Sequence, residues 1–169
     1  MSDEKLSKNE SRRLATLKKL QILDTEQEQL FDSITHGVCR VFSVPISLIS
    51  LIDETRQWFK SNTGLDARQS PRQHAFCRFA LNRQTVFIVN DALEDPKFKN
   101  NPLVTGSPFF RFYAGAPIIV EGHVMGTLCA IDTKPRELSD RESFILESFA
   151  KVVADAMLMR KALIEAKEV

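Results

Sequence analysis

The sequence is short of paired cysteines, of tryptophan and tyrosine, of net charge and of long apolar runs, and each shortage excludes something. Cys39, Cys77 and Cys129 are three in number and far apart, so the chain lacks both a disulfide framework and the paired spacing of a structural zinc site. The residues from Met1 to Glu10 are polar and charged, without the apolar stretch of a secretory signal. No apolar run approaches the ~18 residues that mark a membrane-crossing helix. The expectation is a reduced, cytoplasmic protein with no membrane partner. Lys and Arg total 23 against 22 Asp and Glu, a net charge of +1. That balance lacks the basic excess of a general nucleic-acid binder and the charge of a disordered acidic chain. His36, His74 and His123 are scattered and make no metal site.

What remains is the composition of one globular domain: 169 residues, 43% hydrophobic and 27% charged, with 12 Phe beside the single Trp58 and the single Tyr113. Three hydroxyl-x-x-Glu signatures predict helix starts, because such a pair satisfies orphan N–H groups at a first turn. Ser7 with Glu10 opens a helix striped by Leu14, Leu17, Leu20 and Leu23. Thr25 with Glu28 opens a second, with Leu30, Phe31, Ile34, Val38, Val41 and Phe42 on one face. Ser139 with Glu142 opens a third that runs toward the C-terminus. Its Ile145, Phe149, Val152, Ala156, Met159 and Leu163 follow four-three spacing, a heptad seam. At 1.5 Å per residue this helix is ~43 Å long and outreaches a small domain. It is expected to form a homodimer bundle with the Leu14–Leu23 stripe, the alternative being a helix packed wholly on its own sheet.

Between these helices the pattern changes to strands. Ile46–Ile52 is a β-branched apolar run and reads as a central strand. Asp53-Glu54 is a turn, Arg56–Asn62 a second strand, residues 70–82 an irregular segment with a short helix from about His74, and Val86–Asn90 a short strand. Residues 91–108 are a long loop with at most one helical turn. Arg111–Val120 and His123–Asp132 form a hairpin closed by Glu121-Gly122. The class is α+β, with a central antiparallel sheet of five to six strands and segregated helices. The units are an N-terminal helix (1–23), a core (24–138) and a long C-terminal helix (139–169), together one domain. Simple pairing outward from the hairpin turn sets Ile118 against Met125, Ala116 against Thr127 and Ala114 against Cys129. One face then carries four small residues, which either admit a closely packed helix or leave a ligand cavity.

These pieces together resemble the GAF domain, a bacterial small-molecule sensor module related to PAS domains. The resemblance rests on Ile46-Ser-Leu-Ile-Ser-Leu-Ile-Asp53, Arg56-Gln-Trp-Phe-Lys60, Ala75-Phe-Cys-Arg-Phe79, Val89-Asn-Asp91, Asp95-Pro-Lys-Phe98, Asn101-Pro-Leu-Val104, Arg111-Phe-Tyr-Ala-Gly-Ala-Pro117 and Gly126-Thr-Leu-Cys-Ala-Ile-Asp132. It covers roughly residues 24–160. It implies terminal helices on one face of the sheet and a ligand pocket on the other, lined by Trp58, Phe76, Cys77, Asp91, Arg111, Tyr113, Thr127 and Cys129. It also implies signal output through the terminal helices to an output domain or a downstream signalling protein. The Asn-Lys-Phe-Asp-Glu set of cyclic-nucleotide-binding members is not found here. Bilin-binding members attach the chromophore through a Cys followed by His, whereas Arg78 follows Cys77, so no covalent bilin and no other cofactor is expected. Free methionine sulfoxide reductases of this family need several cysteines around the pocket. Cys77 matches one position, but the loop of residues 91–108 holds no Cys.

The candidate residues have two readings each. Cys77 with His74 is either a thiolate beside a base or a buried, inert cover residue. Cys129 and Cys39 read as structural. Asp91 and Arg111 either grip a ligand's amine and acid or anchor the long loop. Trp58 either stacks on a ligand or covers one end of the sheet. The reading is a non-catalytic sensory domain. The alternatives are a thiol reductase of a small sulfoxide and a dimerisation module with a vestigial pocket.

Overall fold

The computed structural model describes residues 3–168; Met1, Ser2 and Val169, at the ends of the expected terminal helical units, lie outside the described residues. Two helices come first, α1 (Asp3–Lys19) and α2 (Gln29–Phe42). The strands are β1 (Ile46–Ile52), β2 (Arg56–Thr63), β3 (Gln69–Pro71), β4 (Phe87–Val89), β5 (Phe112–Val120) and β6 (His123–Asp132). Two 3₁₀ turns, Arg72–His74 and Phe76–Ala80, follow β3; one helical turn, α3 (Pro102–Thr105), interrupts the long loop; α4 (Asp140–Lys167) ends the chain. The strands form one antiparallel sheet in the order β3-β2-β1-β6-β5-β4. The α+β architecture expected from the sequence is the one observed.

Two layers of core sandwich this sheet. On one face Leu17 of α1, Leu20 just after it, Phe31, Val38 and Phe42 of α2, and Leu146, Ala150, Val153 and Met157 of α4 pack on Leu51, Ala114, Ala116, Ile118, Leu128 and Ala130. On the other face Phe76, Ala80, Phe98, Val104 and Phe110 cover Phe59, Tyr113, Cys129 and Ile131. β1 is buried along its whole length because both its faces are covered.

Of the three helix-start signatures, one operates. Ser139 Oγ accepts from Glu142 N at 3.1 Å, and Glu142 Oε1 accepts from Ser139 N at 3.1 Å. Ser7 lies inside α1, which begins at Asp3, and Glu10 is drawn instead to Arg13 (2.8 Å) and Arg72 (2.7 Å). Thr25 precedes α2 by a full turn; its hydroxyl donates to Ile22 O and accepts from Lys60 Nζ, while Glu28 itself takes the N-cap position without a side-chain cap bond. Leu30 and Val41, assigned to the buried face of α2, are 55% and 54% exposed, and Thr35 takes a buried place between them.

The hairpin turn is as expected, with Glu121 at φ +52° and Gly122 at φ +80°, the left-handed pair of a type I′ turn. The register beyond it is not. Ile119 pairs with Val124 and Ile118 with Gly126, which leaves Met125 as a bulge residue. Past the bulge every pair shifts by one, so Gly115 meets Cys129 and Ala116 meets Leu128. The expected patch of four small residues is therefore divided. Ala114 and Ala116 face the helices, where α4 packs closely, and Thr127 and Cys129 face the other side with Tyr113.

The residues expected to form the bundle of terminal helices divide between the core and the surface. Leu17 of α1 (0% exposed) and Leu20 just beyond it (1%) are spent inside the chain's own core, and Leu14 is half-buried. In α4 the residues gripping the sheet are Leu146, Ala150, Val153 and Met157, one position off the predicted seam. Of that seam Ala156 is buried and Ile145 and Phe149 are half-buried, leaving Val152, Met159 and Leu163 at 51%, 67% and 63% exposure. No helix among the described residues is long and apolar enough to cross a membrane.

Candidate functional site

The face of the sheet turned away from the helices gathers five of the eight predicted pocket residues. Strands β5 and β6 place Tyr113 beside Thr127, with Tyr113 Oη and Thr127 Oγ1 2.9 Å apart. Gly115, two residues along the same face of β5, leaves the space that the Tyr113 ring occupies, since a side chain there would strike it. The 3₁₀ turn Phe76–Ala80 brings Phe76 and Cys77 down onto this cluster. Cys77 Sγ donates to Gln57 Oε1 at 2.9 Å, and Gln57 Nε2 donates to Ser70 Oγ at 2.6 Å. Phe76 stacks on Phe98 with ring centroids 4.2 Å apart, and it meets Tyr113 at 5.3 Å and Phe110 at 5.8 Å. Phe76, Phe98 and Phe110 thus occupy the volume over Tyr113 that the sequence reading reserved for a ligand.

Burial sets the chemistry of the cluster. Desolvation pushes the Cys77 thiol up to about 12, and it pushes Cys129 and the Tyr113 phenol upward as well. A thiol so buried, already donating its proton to a neutral amide, is held in its least nucleophilic form. His74 closes the preceding turn, where its backbone carbonyl accepts from Asn101 Nδ2 at 3.1 Å, and the hydrogen bond of the Cys77 thiol goes to Gln57. Cys39, half-buried on α2, is also raised by desolvation. All three cysteines are free.

The other three predicted residues lie elsewhere. Trp58 alternates to the opposite face of β2 from Gln57 and Phe59, joins the helix-side core, and carries the Arg68 guanidinium 5.4 Å from its ring centroid. Asp91 Oδ1 accepts from Leu93 N at 3.1 Å, an Asx turn. Arg111 Nη1 donates to the carbonyls of Val104 (3.0 Å) and Phe110 (2.9 Å), tying down the end of α3. Both are loop anchors, the second of their two readings. Sequence reasoning missed Gln57, Phe98 and Phe110. A Gln in phase with the buried Phe59 two residues along the same strand was the available signal for the first; nothing local marks the other two.

A second cluster joins three elements on the helix side. Lys60, fully buried, donates to Glu26 O at 2.6 Å and to Thr25 Oγ1 at 2.9 Å and pairs with Glu28 at 2.5 Å. Arg160 of α4 pairs with the same Glu28 at 2.9 Å and donates to Gln21 O at 2.8 Å. Burial disfavours the charged Glu28, but hydrogen bonds from Lys60 and Arg160 outweigh it and lower its pKa. Lys60 shares this side of the sheet with Ser61 because β2 carries its own bulge opposite Ile49 and Ser50.

A six-stranded antiparallel sheet with helices on one face and an aromatic-covered polar cluster on the other makes an α+β sandwich. The sequence model of the GAF domain matches residues 26–157, and the chain belongs to the GAF domain family. Over 147 residues it is 44% identical to the Cyclic di-GMP phosphodiesterase PA2567 of Pseudomonas aeruginosa, a match covering 86% of this chain and 25% of that protein. The chain therefore spans about a quarter of the length of this curated relative. Among solved structures, the GAF domain of an Acinetobacter phosphoenolpyruvate-protein phosphotransferase superposes with a TM-score of 0.66 at 16% identity, covering 98% of this chain and 99% of that one. A type II free methionine-R-sulfoxide reductase from Thermoplasma acidophilum superposes with a TM-score of 0.63 at 13% identity, covering 76% and 89%. At these identities the two structures share the fold with this chain.

Proposed function

We propose that this chain is a non-catalytic, cytoplasmic sensory GAF domain in which a small molecule bound at the Tyr113–Thr127–Cys77 face shifts the setting of α4. The observation that carries the reading is the three-element tie of Lys60, Glu28 and Arg160. Gln57, which holds Cys77, and Lys60, which holds Glu28, are three residues apart on β2 and face opposite sides of the sheet. A ligand that displaces the Phe76–Phe98–Phe110 cover and pulls on Gln57 moves the strand that holds Glu28, and through Glu28 it moves Arg160 on α4. Occupancy then shifts a population between two helix settings. Free cysteines suit a reducing compartment. The exposed Val152, Met159 and Leu163 supply a face for a second copy of the chain, narrower than the seam drawn from spacing. Similarity to part of a cyclic di-GMP phosphodiesterase supports an output in the turnover of that messenger, in the same polypeptide or a partner.

Native mass spectrometry of the protein as purified, set against its denatured mass, tests the reading. The expected result is a dimer retaining a small non-covalent mass, with that mass absent from a Tyr113→Phe/Thr127→Val variant that still unfolds cooperatively. A monomer at every concentration overturns the role of the α4 face. A dimer that retains nothing and binds nothing from a cell extract overturns the interior ligand and leaves a dimerisation module.

A further inference from the structure

At the hairpin end of the sheet lies a cleft of about 990 Å³, bounded by α1, by the two 3₁₀ turns and by the β5–β6 turn. It shares no residue with the interior cluster. Four arginines and one carboxylate line it: Arg13, Arg72, Arg78 and Arg83 with Glu10. In a chain whose net charge is +1 this is a local concentration of positive charge.

The arginines divide into two pairs. Arg13, 4% exposed, and Arg72 are fixed in the wall. Arg13 donates to both Glu10 oxygens and to Val124 O, and Arg72 donates to Glu10 Oε1 and Asp53 O. They consume the only carboxylate that lines the cleft among the described residues. Arg78 and Arg83 are exposed, and among the described residues neither has an ion pair or a hydrogen bond from its guanidinium. Each lies over an aromatic ring instead, Arg78 4.6 Å from the Phe79 centroid and Arg83 5.0 Å from that of Phe87. A guanidinium held over a ring spends none of its N–H donors on a hydrogen-bond acceptor and keeps them for a ligand.

We propose that this cleft binds a small organic phosphate carrying at least two phosphoryl charges, held by Arg78 and Arg83. Two free planar forks suit a diphosphate or bisphosphate, whose several oxygens accept from both, better than a single carboxylate. The volume is that of a small-molecule site, near the upper end of the usual ~300–1,000 Å³. Ile119 and Val124 on the hairpin and Leu81 give the organic part an apolar wall. The bounded shape and the near-zero net charge of the chain speak against a nucleic-acid polyanion, which needs a continuous basic track. The assignment does not depend on the sensory reading, since a ligand here touches neither Tyr113 nor Cys77.

Isothermal titration calorimetry on the full chain at low ionic strength, with inorganic pyrophosphate, ADP and citrate as probes, tests it. One equivalent of pyrophosphate binds, ADP binds more tightly, and citrate binds at least tenfold more weakly than pyrophosphate. Arg78→Ala and Arg83→Ala each weaken ADP by about tenfold or more, as expected for a charged hydrogen bond, and the Lys replacements recover part of the loss. Both side chains are exposed, so an unchanged unfolding midpoint shows that the variants are intact. A Tyr113→Phe variant, altered only in the interior cluster, binds all three probes as the parent does. Absence of saturable pyrophosphate binding, or binding indifferent to both arginines, overturns the site. Citrate as tight as pyrophosphate overturns the phosphate, and ADP no tighter than pyrophosphate overturns the organic part.

Discussion

Individual side chains define the interior cluster, and their environment dictates their reactivity. Cys77 and Cys129 are 1% and 0% exposed with raised pKa values, while Cys39 is half-buried. The native protein should therefore consume one equivalent of a thiol reagent such as Ellman's at mildly alkaline pH, at Cys39, and three after denaturation; fast labelling of Cys77 in the folded state would contradict the burial described. Gly115 matters because the Tyr113 ring lies where its side chain would be. Gly115→Ala should displace that ring, break its bond to Thr127 and destabilise the fold by about 1–3 kcal/mol in urea titrations. Which residues share this cluster was partly legible. Tyr113, Thr127, Cys129, Phe76 and Cys77 emerged from strand pattern and family likeness together. Trp58 was expected with them from the likeness but lies in the helix-side core, because the likeness does not indicate which face of β2 it takes. Asp91 and Arg111 are the right chemistry for a ligand and the right chemistry for bracing a loop; the choice falls to the backbone carbonyls that come within reach of Arg111.

Elements were legible where one strong local signal decides them. Ile46–Ile52 keeps its predicted bounds because an unbroken β-branched run has no competing structure. The Glu121-Gly122 turn and the Ser139–Glu142 start held for the same reason. The bulge at Met125 has no local signature. It is set by the pairing of β6 with β1 on its other side, where Gly126 stands opposite Leu51 and a side chain at Gly126 would meet the Ser50 backbone. The bulge decides which small residues face α4, so truncating a large residue on that side should be costly. Leu128→Ala, fully buried under the helices, should lose about 2–5 kcal/mol in chemical denaturation. Glu10 shows how a helix-start signature is overridden by distant arginines. Burial opposes its ionisation, but the hydrogen bonds of Arg13 and Arg72 prevail and bring its carboxyl from 4.5 down to about 2. A depressed carboxylate stabilises the fold above its unfolded pKa, and that contribution is lost as pH falls through its folded one. Glu10→Gln should therefore flatten the decline in stability between about pH 4.5 and 2 relative to the parent, as followed by thermal unfolding across the acid range. An identical acid limb in the two proteins would show that the α1 tie contributes nothing.

At the scale of the whole molecule, the sheet divides an interior cluster from a helix layer, and Lys60, Glu28 and Arg160 connect β2, α2 and α4. Glu28→Gln leaves the fully buried Lys60 ammonium without its carboxylate, though still bonded to Thr25 and Glu26. It should loosen the end of α4 more than it lowers global stability, seen as faster amide exchange beyond Met157 with a small change in unfolding midpoint. Under the proposed dimer, Met159→Glu with Leu163→Glu should shift sedimentation to the monomer without loss of helix content, because both residues are exposed in the single chain. The heptad spacing of α4 was visible in the sequence, but a heptad does not reveal which of its flanks a sheet will claim. Met157 is the last residue of α4 sunk in the core and Arg160 the last one tied to it, so the angular phase of all that follows is fixed at that point. One residue inserted after Arg160 would turn Leu163 by about 100° away from the line of Val152 and Met159, whereas seven would return it to within about 20°. The arginine is thus an index mark: it sets the direction in which the end of the helix faces.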